Sequence, residues 1–316
     1  MRAWDSMAGA LTAAGPSIRP GRSRVRREWR EWLLFVALVG PNLALFGVFN
    51  YRPLLYNAWL SLHEWDFLSP VLIWVGFANY VDVFTDPVFH KVLRNTLAMT
   101  AWSVGLTLFL GLALALLLNM KLVGRNAARS ALFAPYVLSG AAVAVVWVFI
   151  FDPSYGLIRN LLAPFGIPAP NWLRDTSWAM PAVVIVYVWK NVGYSLVIFL
   201  AGLQAIPREL YEAATTDGAS AWDRFRHVTL PGLAPITFFQ LVTSTLLTFQ
   251  SFDIIHALTR GGPVNATNTL IYYLYEEGFI AFKAGRAGVI AIVIFGVLFV
   301  ITVVQLRYLE RRVTYS

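Results

Sequence analysis

Lys190 and Asn191 interrupt one apolar run near its middle, and Gln250, Asp253 and His256 interrupt another towards its end, with Gln240 deeper in that same run. Ionisable groups in an apolar span are costly and face a cavity or a partner. Two chemistries follow. Lys190, Asn191, Gln250 and Asp253 can line a path for a polar solute, with Trp189 and Phe249 supplying aromatic faces. Alternatively, Lys190 and Asp253 form a structural pair that ties two helices; the two readings are compatible. Trp147 reads as a packing or lipid-facing residue, with stacking on a sugar as its alternative. Glu276 and Glu277 read as solvated loop charges, with a protein contact as theirs.

Other chemistries are excluded. There is no Cys, so disulfides, thiolate catalysis and Cys-ligated metals are ruled out. The four His (His63, His90, His227, His256) are scattered, none at metal-ligand spacing. No Gly-x-x-x-x-Gly-Lys-Ser/Thr and no Gly-x-Gly occurs, so neither phosphate-cradling loop is present. No catalytic residue, metal site or cofactor site is expected.

The elements that must position the polar residues are membrane spans. Of 316 residues, 58% are hydrophobic and 13% charged, against roughly 25% charged in a soluble domain. The formal charge of +8 does not indicate nucleic acid, because most charges sit in short loops beside apolar runs. Apolar runs near the spanning length of about 20 residues fall at 32–60, 95–119, 129–151, 179–204, 233–258 and 285–308. Gly40-Pro41 is tolerable as a kink, and Ala284-x-x-x-Gly288 allows close helix packing. Residues 1–31 read as a basic, unstructured tail, 32–94 as the first span with its loop, 95–308 as the transmembrane core, and 309–316 as a short C-terminal tail.

Lys and Arg set the orientation. With the N-terminus inside, seven Arg of the tail, Lys121, Arg125, Arg129, Arg208, Arg224, Arg226, Arg307, Arg311 and Arg312 fall on the inner side, sixteen in all. Eight fall on the outer side: Arg52, Lys91, Arg94, Arg159, Arg174, Arg260, Lys283 and Arg286. Both termini are therefore expected in the cytoplasm.

The loop at 206–232 reads as helix, break, helix. Pro207 suits a first helical position, and Glu209 favours the positive end of the helix dipole. Leu210, Ala213 and Ala214 share one face. Asp217-Gly218 stops the first helix, Ser220-x-x-Asp223 can cap the second, and Pro231 is expected to end it. The surface at the break is small, made by Ala213, Ala214, Gly218 and Ala219. Such an elbow suits a groove on another protein; an amphipathic loop lying on its own bundle is the alternative from spacing alone.

Glu212-Ala213-Ala214-x-x-Asp217-Gly218-Ala219, then Phe225 and Leu230-Pro231, resembles the EAA motif of binding-protein-dependent ABC permeases. Phe151-Asp152-Pro153-x-Tyr155-Gly156, Asn171-Trp172-Leu173 and Leu203-Gln204-x-Ile206-Pro207 are similar to the carbohydrate-uptake branch, including its glycerol-3-phosphate and disaccharide permeases. Thr259-Arg260-Gly261-Gly262-Pro263 resembles that branch's Thr-Gly-Gly-Gly-Pro turn, with Arg260 replacing a Gly. The resemblance implies an all-α integral membrane protein of six transmembrane helices with the type I (MetI-like) importer fold, in the bacterial cytoplasmic membrane. It further implies that the 206–232 loop couples to a cytoplasmic ATPase, which binds the ATP, and that Arg260–Pro263 touch an external solute-binding protein. Two ATPase subunits and a second, related permease complete the expected assembly. A stand-alone secondary transporter or channel, or a membrane enzyme, leaves the EAA loop unexplained.

Overall fold

The computed structural model describes residues 22–309. Residues 1–21 and 310–316, most of the two expected tails, lie outside the described residues. Arg22 onward is helical, so the helix starts inside the segment read as tail.

The chain divides into two units between Tyr56 and Asn57. In the first, α1 (Arg22–Phe46) continues through Pro41 and a wide π-turn at Gly47–Tyr51 into α2 (Arg52–Leu60). The apolar side chains of α1, such as Trp32, Leu38 and Leu43, are exposed.

The second unit begins at the end of α2. A two-stranded antiparallel pairing, β1 (His63–Glu64) with β2 (Ile73–Trp74), precedes α3 (Ala78–Thr85) and the long α4 (Pro87–Asn119). α4 starts eight residues before the expected 95 because Asp86 caps it: the Asp86 carboxylate accepts the Val88 N–H at 2.8 Å, and Pro87 opens the helix. Then come α5 (Arg125–Val137), α6 (Gly140–Ile150), α7 (Leu157–Leu162) and α8 (Ala179–Ala205). The expected span at 129–151 is thus two helices meeting at 104°. Pro135 removes a helical donor near the end of α5, and Ser139 caps α6 by accepting the Ala142 N–H at 3.3 Å.

The 206–232 loop holds α9 (Arg208–Thr216), α10 (Ala221–Arg224), a π-turn at Phe225–Thr229 and α11 (Leu230–Gly232). α12 (Ala234–Phe249) follows at a bend of 59°. Pro231 therefore marks a bend, because it sits in the first turn of α11, where a missing N–H costs nothing. The expected span at 233–258 stops at Phe249; α13 (Asp253–Leu258) is separate. α14 (Leu270–Tyr275), a π-turn at Glu276–Ile280 and α15 (Ala284–Leu309) complete the described chain.

Four helical stretches are long and apolar enough to cross a membrane, and each bent pair counted as one span brings the number to six. α8 is the central helix of this unit, with α4, α5, α12 and α13 packed on it. Small residues allow the close approaches: a side chain at Gly111 of α4 would collide with Ser195 of α8, and one at Gly193 of α8 with the Leu132 backbone of α5. Gly288 likewise brings α15 against the backbone of Asn57 and Ser61. Three apolar clusters stack along the bundle. Phe199, Leu203 and Leu233 lie at the end carrying α9, and Met99, Val183 and Ile255 lie in a second cluster. Phe89, Phe249 and Leu270 form the third, beside the start of α4.

Candidate functional site

Three groups of residues stand out: the elbow at 206–232, a polar cleft along α8, and the turn at 259–270.

At the elbow, α9 ends in a Schellman arrangement. The Ala219 N–H donates to Ala214 O at 2.9 Å and the Gly218 N–H to Thr215 O at 3.1 Å. Gly218 has φ +79°, which a residue with a Cβ adopts at a cost. Ser220 and Asp223 form a reciprocal capping box on α10: Asp223 N–H to Ser220 Oγ at 3.2 Å, and Ser220 N–H to Asp223 Oδ2 at 3.1 Å. The elbow is braced internally by Arg224 Nη1 donating to Thr215 Oγ1 at 2.7 Å and by Tyr211 and Thr229 hydroxyls 3.0 Å apart. Tyr211 packs on the Phe199–Leu203 cluster. Glu212, Ala213, Asp217 and Gly218 are exposed, while Ala214, Ala219 and Phe225 are half-buried. The apolar side chains of Leu210 (52% exposed), Trp222 (65%) and Leu230 (41%) face outward. A Cβ on Gly218 would meet nothing within 4 Å. The elbow is therefore a rigid, half-apolar projection with room against it.

The cleft has a volume of ≈ 580 Å³, within the range of about 300–1,000 Å³ usual for small-molecule sites. Lys190, Asn191, Gln250 and Asp253 all line it, together with Phe133, Tyr136, Tyr187 and Ser251. Trp189 and Phe249 do not. Trp189 lies edge-on to Trp147, ring centroids 5.6 Å apart, and Phe249 is buried in the cluster with Phe89 and Leu270. The helix ends at Phe249, which turns that ring away from Gln250 and into the core. The aromatic faces of the cleft come from Phe133, Tyr136 and Tyr187 instead; the Phe133-x-x-Tyr136 spacing on α5 is the sequence signal for the first two. Trp147 packs on Phe151 as well as on Trp189. Lys190 and Asp253 form no direct pair. Lys190 Nζ donates to the Tyr136 carbonyl at 3.1 Å and lies 5.3 Å from the centroid of that ring. Asn191 Nδ2 donates to Tyr187 O at 2.8 Å. Gln240 is fully buried and donates to Ser195 O at 3.2 Å, tying α12 to α8.

The 259–270 segment is held by α4. Asn95 Nδ2 donates to Asn265 O at 2.8 Å and Asn268 O at 3.1 Å, Lys91 Nζ to Val264 O at 2.5 Å, and the Leu270 N–H to Thr96 Oγ1 at 2.8 Å. Thr259 and Thr267 hydroxyls lie 2.7 Å apart and close the turn. Arg260 takes φ +52° and Gly261 φ +76°, and the Gly262–Pro263 bond is cis. Gly261 is buried against Tyr272, Gly262 and Pro263 are half-buried, and Arg260 and Val264 are exposed. The turn presents one cation and one apolar side chain on a fixed backbone.

Glu276 and Glu277 are not solvated loop charges. Glu277 Oε2 accepts Arg286 Nε at 2.8 Å, and its side chain is only 12% exposed. Arg286 also binds Asp82, Asp86 (2.8 Å) and the Tyr273 hydroxyl (2.8 Å). Burial would raise the Asp86 carboxyl, but the Val88 N–H, Tyr273 and Arg286 together hold it below the usual carboxylate range. Burial pushes Glu276 up; the Asn268 amide, which donates at 2.5 Å, opposes that, and neighbouring Glu277 adds to it.

Comparison with known proteins fits this geometry. Residues 107–315 match the family described as the binding-protein-dependent transport system inner membrane component. The sn-glycerol-3-phosphate transport system permease protein UgpA of Yersinia pestis bv. Antiqua is 36% identical over 298 residues, 94% of this chain and 99% of that protein. UgpA of Escherichia coli is 36% identical over 92% of this chain and 97% of its own. A bacterial ABC transporter chain involved in import of the acidic polysaccharide alginate has 26% identity and a TM-score of 0.78, over 91% of this chain and 99% of that one. A similar chain, at 25% identity and a TM-score of 0.78 over 92% and 98%, comes from the alginate transporter in complex with its periplasmic protein. An elbow that projects from one end, a polar cleft along the central helix and a match across the whole core lead to one conclusion: the chain belongs to the family of inner membrane components of binding-protein-dependent transport systems, and is a multi-pass ABC importer permease.

Proposed function

We propose that this permease carries a sugar or a glycerol-3-phosphate-like solute inward, through the cleft lined by Lys190, Asn191, Gln250 and Asp253. The glycerol-3-phosphate and alginate relatives support this solute class, as do amide and aromatic groups side by side in the cleft. ATP binding and hydrolysis belong to two separate cytoplasmic subunits, and the elbow docks into them. The elbow carries this reading: Leu210, Trp222 and Leu230 expose apolar surface around an open Gly218, which suits a protein groove. Glu212, Ala213, Ala214, Asp217, Gly218 and Ala219 form the contact, with Phe225 and Pro231 shaping its base. Both termini then lie in the cytoplasm. Arg260, Gly261, Gly262 and Pro263, at the opposite end of the bundle, meet the external solute-binding protein. A second, related permease supplies the other half of the path.

Affinity purification of the tagged chain from its native membrane tests this. The expected result is co-purification of an ATPase that an added, solute-loaded binding protein stimulates. Transport driven by the chain alone, with no nucleotide, would favour a secondary transporter and overturn the reading.

A further inference from the structure

The break in the third span puts two helix ends beside the cleft, whose lining includes Tyr136, Val137, Lys190 and Asp253. α5 stops at Val137 and α6 starts at Gly140, with 104° between them. A helix C-terminus leaves bare carbonyls and carries partial negative charge; an N-terminus leaves bare N–H groups and carries partial positive charge. Both ends need a partner where a span is interrupted within a membrane.

Each end has one. The Tyr136 carbonyl, in the last turn of α5, accepts the Lys190 ammonium at 3.1 Å. The first turn of α6 faces Asp253: its carboxylate fills the space that a side chain at Gly140 would occupy. Cation meets negative end, and anion meets positive end. The two halves also pack chiefly on different helices. α5 lies on α8, with Gly193 against the Leu132 backbone and Tyr136 stacked on Tyr194 at 4.7 Å. α6 lies on α13, where Val143 and Ala144 share a cluster with Ile254 and Leu258.

We propose that Lys190 and Asp253 are positioning residues that hold the two halves of the broken third span, each charge matched to the half-helix end it faces. They set the angle of the break and so the shape of the cleft, without pairing with each other or binding the solute. This goes beyond the proposed function and rests on it only in that the cleft is the solute path.

Polarity makes the idea testable. An ion pair tolerates exchange of its partners, whereas helix ends have a fixed sign. Uptake would be measured in proteoliposomes holding the full importer, and labelling of Ser139→Cys, at the break, in membranes; the chain has no Cys of its own. Lys190→Met and Asp253→Asn should each lower the maximal rate about tenfold, leave KM within about twofold, and raise Ser139→Cys labelling. Lys190→Arg and Asp253→Glu should stay near wild type. The exchanged double variant, Lys190→Asp with Asp253→Lys, should be worse than either neutral single. Recovery in the exchanged variant would establish a direct pair, and a KM rise at unchanged maximal rate would establish solute contacts; either overturns the proposal. If the wild-type complex moves no solute, the transport reading fails by itself, while unchanged Ser139→Cys labelling across the variants would still refute the clamp.

Discussion

Glu276 shows how a half-buried carboxylate is worth less than its neighbours. Asn268 donates to it at 2.5 Å, yet burial and the adjacent Glu277 favour its neutral form. The sign follows from linkage. A carboxyl raised in the folded state costs stability above its unfolded pKa, since ionisation is then less favourable in the folded chain than in the unfolded one. That cost vanishes in acid, below the unfolded value, where both states are protonated. Glu276→Gln is therefore expected to raise the melting temperature of the detergent-solubilised protein at pH 7 and to leave it unchanged near pH 4. Equal shifts at both pH values would show that lost charge is not the cause. Glu277 has a different partner: Arg286 reaches it directly, through a guanidinium fork shared with Asp82 and Asp86. Nothing in the local sequence separated the two glutamates: Arg286 lies in another helix, and its other two carboxylates, Asp82 and Asp86, lie far earlier in the chain.

At the scale of elements, the short-range chemistry was legible. Asp217-Gly218 and Ser220-x-x-Asp223 specify their caps by side-chain and backbone preferences a few residues apart, and the structure makes both. The long helices were legible as apolar runs, but not their breaks. Hydropathy passes smoothly over Leu138-Ser139, because a span interrupted beside a cleft stays apolar on both sides, while Gln250 and Asp253 at the second break read equally as polar residues within one continuous span. Pro135 with Ser139-Gly140 was the available signal for the first break, and Asp86-Pro87 for the early start of α4. The partners of Lys190 and Asp253 were beyond reach for the same reason: they are helix ends, which exist only where the break does. Orientation is an element-scale expectation too, resting on the sixteen-to-eight basic asymmetry. Ser220→Cys, at the tip of the elbow, should resist impermeant thiol reagents in intact cells and react after permeabilisation. Labelling from outside in intact cells would invert the topology.

At the scale of the whole molecule, the elbow and the 259–270 turn sit at opposite ends of one packed unit. α12 runs away from the elbow, and α4 joins the turn at its start to the Phe199–Leu203 cluster near its end. A displacement at the elbow therefore has a rigid route to the cleft through α8 and α12. Coupling through the elbow is the central claim, and Gly218→Arg tests it most directly. The substitution forces a side chain into the left-handed region at about 1–2 kcal/mol, too little to prevent insertion, and fills the open space where the ATPase is expected to lie. Solute-stimulated ATP hydrolysis would be measured in the purified complex alongside subunit stoichiometry. The predicted result is an inserted permease whose ATPase subunits are weakly held or unresponsive to solute-loaded binding protein, with stimulation reduced at least about tenfold. Full assembly with wild-type stimulation would contradict the account.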